Sequence, residues 1–507
     1  MRSVLLLAVV ADSLSAAPRR RLAGWRALQR SARPPATRSS AASTSRRRQR
    51  HLPPAAATGG CADGDDDAAV PPLLRGRSPA GAVVAVAWPS VAIGLLRTAL
   101  GQIDAWYIGR LGSAELQAVG AASFGVWMVY LLGEVGAVGV QSLSSEAEGA
   151  GDRRGGVGAA VTQGAYFSLI AAALAFALAA DPLVAAYLDY LRVTDPAVRA
   201  AASSYLVATA KWGGLPLCLD AVAFAGFKGV GETRAALKIA AMAVLLNIVL
   251  NGPAIAAFGV AGAAYATNVA AAVAAVVGFS ALRRRGVDLA FRATPSKKML
   301  RKIVAIGAPV GASGALFTVA YVLMGRTLAG LSATALAALA VGHRIEAVAY
   351  TVCEGYCVGV ATVVGQWRGA GRRDRGATAA HEAARLGALS MVPVALGLHA
   401  FAFSAARVFA PDVAVASMAA DYLRVVSFCV PFMAVDAVYD GACVGAQDTR
   451  LASICGVVAN LGRVPLAAVL ASTLGLGVTG VWLSISLSTM LKAPLKWACF
   501  SRTSRKT

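Results

Sequence analysis

Charge is scarce in this chain. Of its 507 residues only 15% are charged, against 57% hydrophobic, and the mean hydropathy is +0.62. A soluble protein carries roughly 25% charged residues, so this one has too few to coat a globular surface. Residues 155–180 and 239–281 contain no charge at all. A spanning helix needs about 20 predominantly apolar residues, so the second stretch fits two helices joined by a tight turn. The chain is a polytopic membrane protein by composition. Histidine is also scarce: His51, His343, His381 and His399 are scattered singly. There is no HExxH and no Walker lysine motif. Gly475-Leu-Gly-Val-Thr-Gly480 fits GxGxxG, but it joins two apolar segments with no strand before it, and Gly259-Val-Ala-Gly262 holds the same place earlier in the chain. Both read as tight turns rather than nucleotide sites. An enzyme is excluded, and no metal site is expected. Seven of the eight cysteines (Cys218, Cys353, Cys357, Cys429, Cys443, Cys455 and Cys499) fall in or beside apolar segments, where cysteine acts as a small hydrophobe. Cys353 and Cys357 are one helical turn apart with no histidine pair nearby, so packing is the expected role.

The charge that is present is mostly basic. The net charge is +22, and residues 1–80 contribute 14 arginines against 5 acids. Most of the remaining excess sits in short loops between apolar segments, which the positive-inside bias explains. Basic residues interleaved with aromatics, as in a groove that grips single strands, are absent, so no nucleic-acid partner is expected. Arg2 precedes the apolar run Val4–Ala11, and residues 18–50 then turn to Arg, Ser and Ala without an acid. The first is signal-peptide grammar and the second transit-peptide grammar, an order that fits import into a plastid behind an extra membrane. Asp63, Asp65, Asp66, Asp67 and the following prolines read as a linker, and residues 1–78 as a targeting segment without a fold.

From Ser78 onward twelve apolar stretches alternate with short loops: 80–108, 114–143, 156–180, 202–228, 235–257, 260–281, 302–329, 333–364, 376–404, 418–446, 451–473 and 476–498. Residues 282–302 form the longest basic internal loop, with Arg283, Arg284, Arg285, Arg292, Lys297, Lys298, Arg301 and Lys302. Loops of the other side, such as 252–260, carry little or no positive charge. Both ends of the membrane part are therefore expected on the cytosol-like side, the stroma in a plastid. The basic loop divides two similar halves. A shift of 220 aligns Pro89 with Pro309, Leu111 with Leu331, Glu134 with Glu354, Val138-Gly139-Val140 with Val358-Gly359-Val360, and Gly149-Ala150-Gly151 with Gly369-Ala370-Gly371. A shift of 216 aligns Asp220 with Asp436 and Glu232-Thr233-Arg234 with Asp448-Thr449-Arg450. The expected fold is an all-α polytopic membrane protein, twelve transmembrane helices in two pseudo-symmetric six-helix bundles. The expected lobes are 79–282 and 302–500, with a basic loop at 283–301 and a basic tail at 501–507. Such parallel repeats place a solute site between the halves near mid-membrane, so two rocking bundles make a transporter in the lipid bilayer.

The same residues resemble a family. Asp104-Ala-Trp-Tyr-Ile-Gly-Arg-Leu-Gly112 is similar to the first helix of the MATE (multidrug and toxic compound extrusion) family. Arg344-Ile345-Glu346, Val364-Gly365-Gln366 and Gly369-Ala370-Gly371 resemble the eighth-helix pattern of its prokaryotic-type branch. Gly231-Glu232-Thr233-Arg234 and Gln447-Asp448-Thr449-Arg450 match the loops after helices four and ten. The resemblance covers about residues 80–500. It implies a secondary antiporter that expels small organic solutes in exchange for H+ or Na+, works as a monomer and needs no cofactor. A lipid-linked precursor flippase is the alternative; it calls for several cations in its cavity, and Arg97 and Lys211 are the ones that stand out. Plant relatives move organic acids and phenolics.

Ionisable groups inside a membrane are expensive, so each asks for a reason. Asp104 either caps a helix at the membrane edge or carries the coupling ion. Its partner at shift 220 is Met324; an acid kept in one half favours coupling, and a desolvated carboxyl is a usable proton carrier. In prokaryotic-type relatives the matching aspartate binds the coupling proton, and the position of Pro89 is where that helix bends. Asn247 matches a family asparagine near the ion site, while Asn251 stands where close relatives have a second aspartate. Arg97 lies two turns from Asp104 and either neutralises it or attracts an anionic solute. Glu134 and Glu354, a symmetric pair, either replace the missing carboxylate or cap packed glycine turns. Asp436, where sodium-coupled relatives have a cation-binding acid, is the better candidate of its pair with Asp220, and Asp440 competes with it. Glu346 is expected to pair with Arg344, and Lys211 to snorkel towards an interface. Trp127, Tyr130, Trp212, Tyr321 and Tyr350 are expected in packing or as interfacial anchors rather than as solute contacts.

Overall fold

The computed structural model describes residues 70–291 and 294–506. Fifteen helices carry nearly all of that chain: α1 Pro79–Gly109, α2 Ser113–Gly149, α3 Arg153–Leu178, α4 Asp181–Tyr190, α5 Pro196–Val230, α6 Thr233–Phe258, α7 Val260–Arg284, α8 Lys297–Leu331, α9 Ala333–Gly369, α10 Arg373–Ala400, α11 Ala402–Phe409, α12 Val413–Ser427, α13 Val430–Gly445, α14 Arg450–Thr473 and α15 Gly477–Lys506. Ten are long and apolar enough to cross a bilayer, and α12 with α13 makes an eleventh crossing bent by 57°. The twelfth is α15, made less apolar by Lys492 and Lys496. The short helices α4 and α11 follow the third crossing of each half, so the repeat extends to the loops.

Local sequence fixes many helix ends. Ser78 caps α1 by accepting from the Gly81 amide at 3.1 Å, with Pro79 in the first turn. Asp195 before Pro196, and Asp412, cap α5 and α12 in the same manner, satisfying amides that have no partner within the helix. Gly259 and Gly475 take positive φ in the α6–α7 and α14–α15 turns, as the tight-turn reading requires. Gln447 adopts φ 61° without being glycine, and its side-chain amide donates to Glu146 at 2.7 Å.

Helices α1–α7 and α8–α15 meet through α1 on α9 and α2 on α8, contacts related by the repeat. Gly149 lies against the backbone of Gln366, and its repeat partner Gly369 against that of Glu146. Neither has room for a β-carbon. Hydrogen bonds repeat likewise: Ser142 Oγ donates to the Val444 carbonyl at 2.5 Å and Thr362 Oγ1 to that of Lys228 at 2.8 Å. Gln141 and Gln366 reach the carbonyls of Val358 (3.1 Å) and Gly229 (3.0 Å). Arg368 joins Glu146 at 3.1 Å and also reaches the Ala446 carbonyl. This polar seam explains why α2 runs past the expected end at 143: its last turns are polar yet buried against the other lobe. All of it lies on the side of the basic loop, where Arg153 binds Glu148 and Glu232 at 2.6 and 2.9 Å.

Val70–Arg77, expected to be part of the unfolded leader, form a turn. Val70 and Leu74 are buried in one apolar cluster with Val363, Val364 and Trp367, and Leu73 touches Gly231. Their apolar side chains bridge the two lobes at the closed side, which a reading by composition alone assigns to the linker. The expected targeting signals themselves, in residues 1–69, lie outside the described residues.

Candidate functional site

One turn beyond the contact of Gly94 with Thr351, a cavity of about 490 Å³ opens in the first lobe. That volume suits a small organic molecule. Asp104, from the last third of α1, lines it, as do Arg97, Glu134 and Asp220. Helix α6 supplies Asn247 and Asn251, both fully buried and one turn apart. Asn251 Nδ2 donates to Asp104 Oδ1 at 2.6 Å. Asn251 Nδ2 also donates to Asn247 Oδ1 at 2.8 Å, and Asn247 Nδ2 in turn to the Thr267 hydroxyl at 2.9 Å. Asp104 is therefore half-buried, with the neutral Asn251 amide as its partner and Asn247 orienting that amide. Among the described residues it has no ion-pair partner.

Arg97 does not neutralise Asp104. Its guanidinium binds Asp220 at 2.9 Å and lies over the Phe224 ring. Residues seven apart share a helix face but stand about 10 Å apart along the axis, too far for a direct pair, whereas Asp220 on α5 is level with Arg97. Glu346 likewise pairs with the Tyr422 hydroxyl at 2.5 Å rather than with Arg344, since residues two apart point to opposite sides of a helix. Trp127 and Tyr130, expected as packing, stand 45% and 43% exposed in the cavity wall. Glu134 faces this cavity, and Glu354 of the second lobe lies within electrostatic reach of Glu134, Lys228 and Asp440. Lys211 lies 3.5 Å from Asp181.

Asp436 belongs to a different environment. Lys492 and Lys496 of α15 approach it at 3.0 and 2.7 Å, and Lys496 also binds Asp440 at 2.5 Å. The two lysines are 5% and 4% exposed. Together with Arg463, they are membrane-embedded cations beyond the Arg97 and Lys211 that sequence reasoning singled out. The available signal was their position inside otherwise apolar segments. Pro89 is buried in α1, 15 positions before Asp104, and the helix continues through it. Its ring removes one backbone hydrogen bond, to the Ala85 carbonyl. Among the described residues no His, Cys, Asp and Glu side chains gather as a metal site.

Residues 89–252 and 309–469 match the MatE family model, one copy in each lobe. The chain belongs to the MatE family. It is a multi-pass membrane transporter, not an enzyme. This MatE protein is 30% identical over 430 residues to a probable multidrug resistance protein NorM of Deinococcus radiodurans, covering 80% of this chain and 90% of that one. It is 22% identical over 427 residues to the protein of the same description in Thermotoga maritima, covering 82% and 91%. Among solved structures, a multidrug resistance MATE family transporter of the MOP superfamily in an outward-facing conformation superposes with TM-score 0.79 at 22% identity, over 86% of this chain and 98% of that chain. A MOP superfamily transporter from Pyrococcus furiosus, whose binding pocket is described as reversed in polarity, gives TM-score 0.79 at 21% identity, over 85% and 97%. These similarities show that the MatE fold extends over the whole membrane part.

Proposed function

We propose that this MatE protein is a secondary antiporter that exports small organic solutes, drug-like or metabolic, in exchange for H+ or Na+ by alternating access, with Asp104 as the coupling acid. The observation that carries this reading is the state of Asp104. Asp220 and Asp436 are each engaged by the protein's own cations, whereas Asp104 has only the neutral amide of Asn251. An acid without a built-in cation is free to exchange one with solution. Asn251 suits both states of a proton cycle: its N–H₂ serves the carboxylate, and its buried oxygen, which has no partner, serves the carboxyl O–H once the amide turns over. Cation arrival and departure then change the balance between lobe arrangements, and the solute in the adjoining cavity moves with it. Arg97 and Asp220 hold the α1–α5 wall, Pro89 supplies the weak point at which α1 bends, and Glu134 and Glu354 set a negative mouth.

A proton moving down 100 mV gains about 2.3 kcal/mol and one pH unit adds about 1.4 kcal/mol, enough for several-hundred-fold accumulation of a neutral solute. Uptake of ethidium into inverted vesicles, under a proton gradient and then a sodium gradient, tests the proposal and identifies the ion. Wild type should accumulate ethidium under one of the two, and Asp104→Asn under neither. Normal gradient-driven uptake by Asp104→Asn would remove Asp104 from the coupling and turn attention to Glu134 and Glu354. The arginine-rich leader supports residence in a plastid envelope or thylakoid membrane, which a fluorescent fusion retaining residues 1–78 tests.

A further inference from the structure

The second lobe buries an arginine that has no counter-charge in contact. Arg463 of α14 is 0% exposed, and a guanidinium keeps its proton in a protein. Its Nη2 donates to Asn460 Oδ1 at 3.0 Å, Nε and Nη1 have no partner in full hydrogen-bonding geometry among the described residues, and the Tyr321 hydroxyl lies beside the guanidinium. The rings of Phe317 and Tyr321 cover the group at 5.6 and 5.2 Å. Tyr321 Oη and His343 Nε2 are also buried and unpartnered, and the Tyr321 and His343 rings are 4.3 Å apart. Glu346, whose charge reaches the same His343, is turned to Tyr422 at 2.5 Å.

The repeat makes the placement informative. Arg463 stands at the position of Asn247 at shift 216, Tyr321 at that of Gly101 at shift 220, and Met324 at that of Asp104. Where the first lobe sets an amide against a carboxylate, the second sets a guanidinium, a phenol and an imidazole, and the nearby carboxylate of Glu346 is turned to Tyr422. An unpaired buried charge is among the most expensive features a fold can carry, and unsatisfied polar atoms rarely cluster without cause. We propose that this cluster is an anion site, and that a small monovalent anion of the chloride class accepts from Arg463 Nε, the Tyr321 hydroxyl and the Nε2–H tautomer of His343. One charge is what the single guanidinium calls for, and the rings on its faces leave only its edge open. Tyr321 and His343 are only partly buried, so they form the side of the site nearer solvent.

Thermal unfolding of the full chain in detergent, with chloride replaced by gluconate at constant ionic strength, tests this without reference to transport and so stands or falls apart from the proposed antiport. Wild type should gain several degrees in Tm, saturably, with chloride. Arg463→Gln should lose the response, and Tyr321→Phe, which keeps the ring, should move the chloride midpoint about tenfold upward, as expected for one lost hydrogen bond to a charge. Crystals grown in bromide should show an anomalous peak beside Arg463. A wild-type Tm indifferent to chloride, or an Arg463→Gln protein that still responds, overturns the proposal. So does Glu346→Gln destabilising the protein by as much as Arg463→Gln, which would make Glu346 the counter-charge. If Arg463→Gln does not fold, Tyr321→Phe and the bromide peak decide.

Discussion

Replacing Asp436 by asparagine separates a structural role from a coupling role. In the native protein Asp436 holds Lys492 at 3.0 Å and Lys496 at 2.7 Å. Lys496 keeps Asp440 at 2.5 Å after the substitution, but Lys492, 5% exposed, has no second acid in contact among the described residues. Stranding one member of a buried ion pair costs about 3–5 kcal/mol. For a cooperative unit of the size of one lobe, each kcal/mol is worth about 2–4 °C, so Asp436→Asn should lower Tm by roughly 6–20 °C. Removing the stranded charge as well, in Asp436→Asn with Lys492→Met, should recover most of that loss, because a buried pair and its apolar replacement are often nearly equal in energy. Lys492→Met alone should cost less than Asp436→Asn, since Lys496 still faces Asp436. A thiol-reactive fluorogenic dye gives the assay directly: Cys218, Cys353, Cys429, Cys443 and Cys499 are buried free thiols that become reactive on unfolding. An Asp436→Asn protein within 2–4 °C of wild type, about 1 kcal/mol on the same scale, or a double variant no more stable than the single, would refute this account and return Asp436 to the list of ion-coupling candidates.

Two further outcomes follow from the packing. Gly369→Leu and its repeat partner Gly149→Leu each drive a side chain into the facing lobe's backbone, so both should open the basic side, raising the labelling of a cysteine placed at position 142 and lowering transport at least tenfold; unchanged labelling in both would show that this seam does not hold the lobes together. The Cys455 and Cys499 thiols, 3.4 Å apart on α14 and α15, should be joined by treatment with oxidised glutathione, with two equivalents of reduced glutathione released; peptide mapping that finds both cysteines alkylated separately would contradict that geometry.

Particular residues show how far sequence reading reached. The shift of 220 that paired Gly149 with Gly369 marked two backbone contacts, because a position with no room for a β-carbon leaves the same residue in both copies. Gly259 and Gly475 were legible as turns because the left-handed backbone favours glycine. The partner of Arg97 was not legible for the opposite reason: Asp220 lies 123 residues away on another helix, and helix periodicity reports only neighbours on the same helix. The polar ends of α2 and α9 were hidden because Gln141, Ser142, Thr362 and Gln366 read as the edge of a membrane span; their burial depends on carbonyls of the other lobe.

The sequence by itself determined that this chain spans a membrane, that it does so in two related halves, where most helices begin and end, and that Asp104 lacks a counterpart in the second half. Those properties follow from local hydrophobicity, turn chemistry and internal comparison, which need no coordinates. The tertiary structure decided which charges are already satisfied. Asp220 and Asp436 meet cations supplied by α1 and α15, Asp104 meets only the Asn251 amide, and Arg463 has no acid in contact among the described residues. The state of a buried charge depends on groups brought within a few ångströms by helices distant in the chain, because Coulomb attraction and hydrogen bonding act across space and not along the sequence.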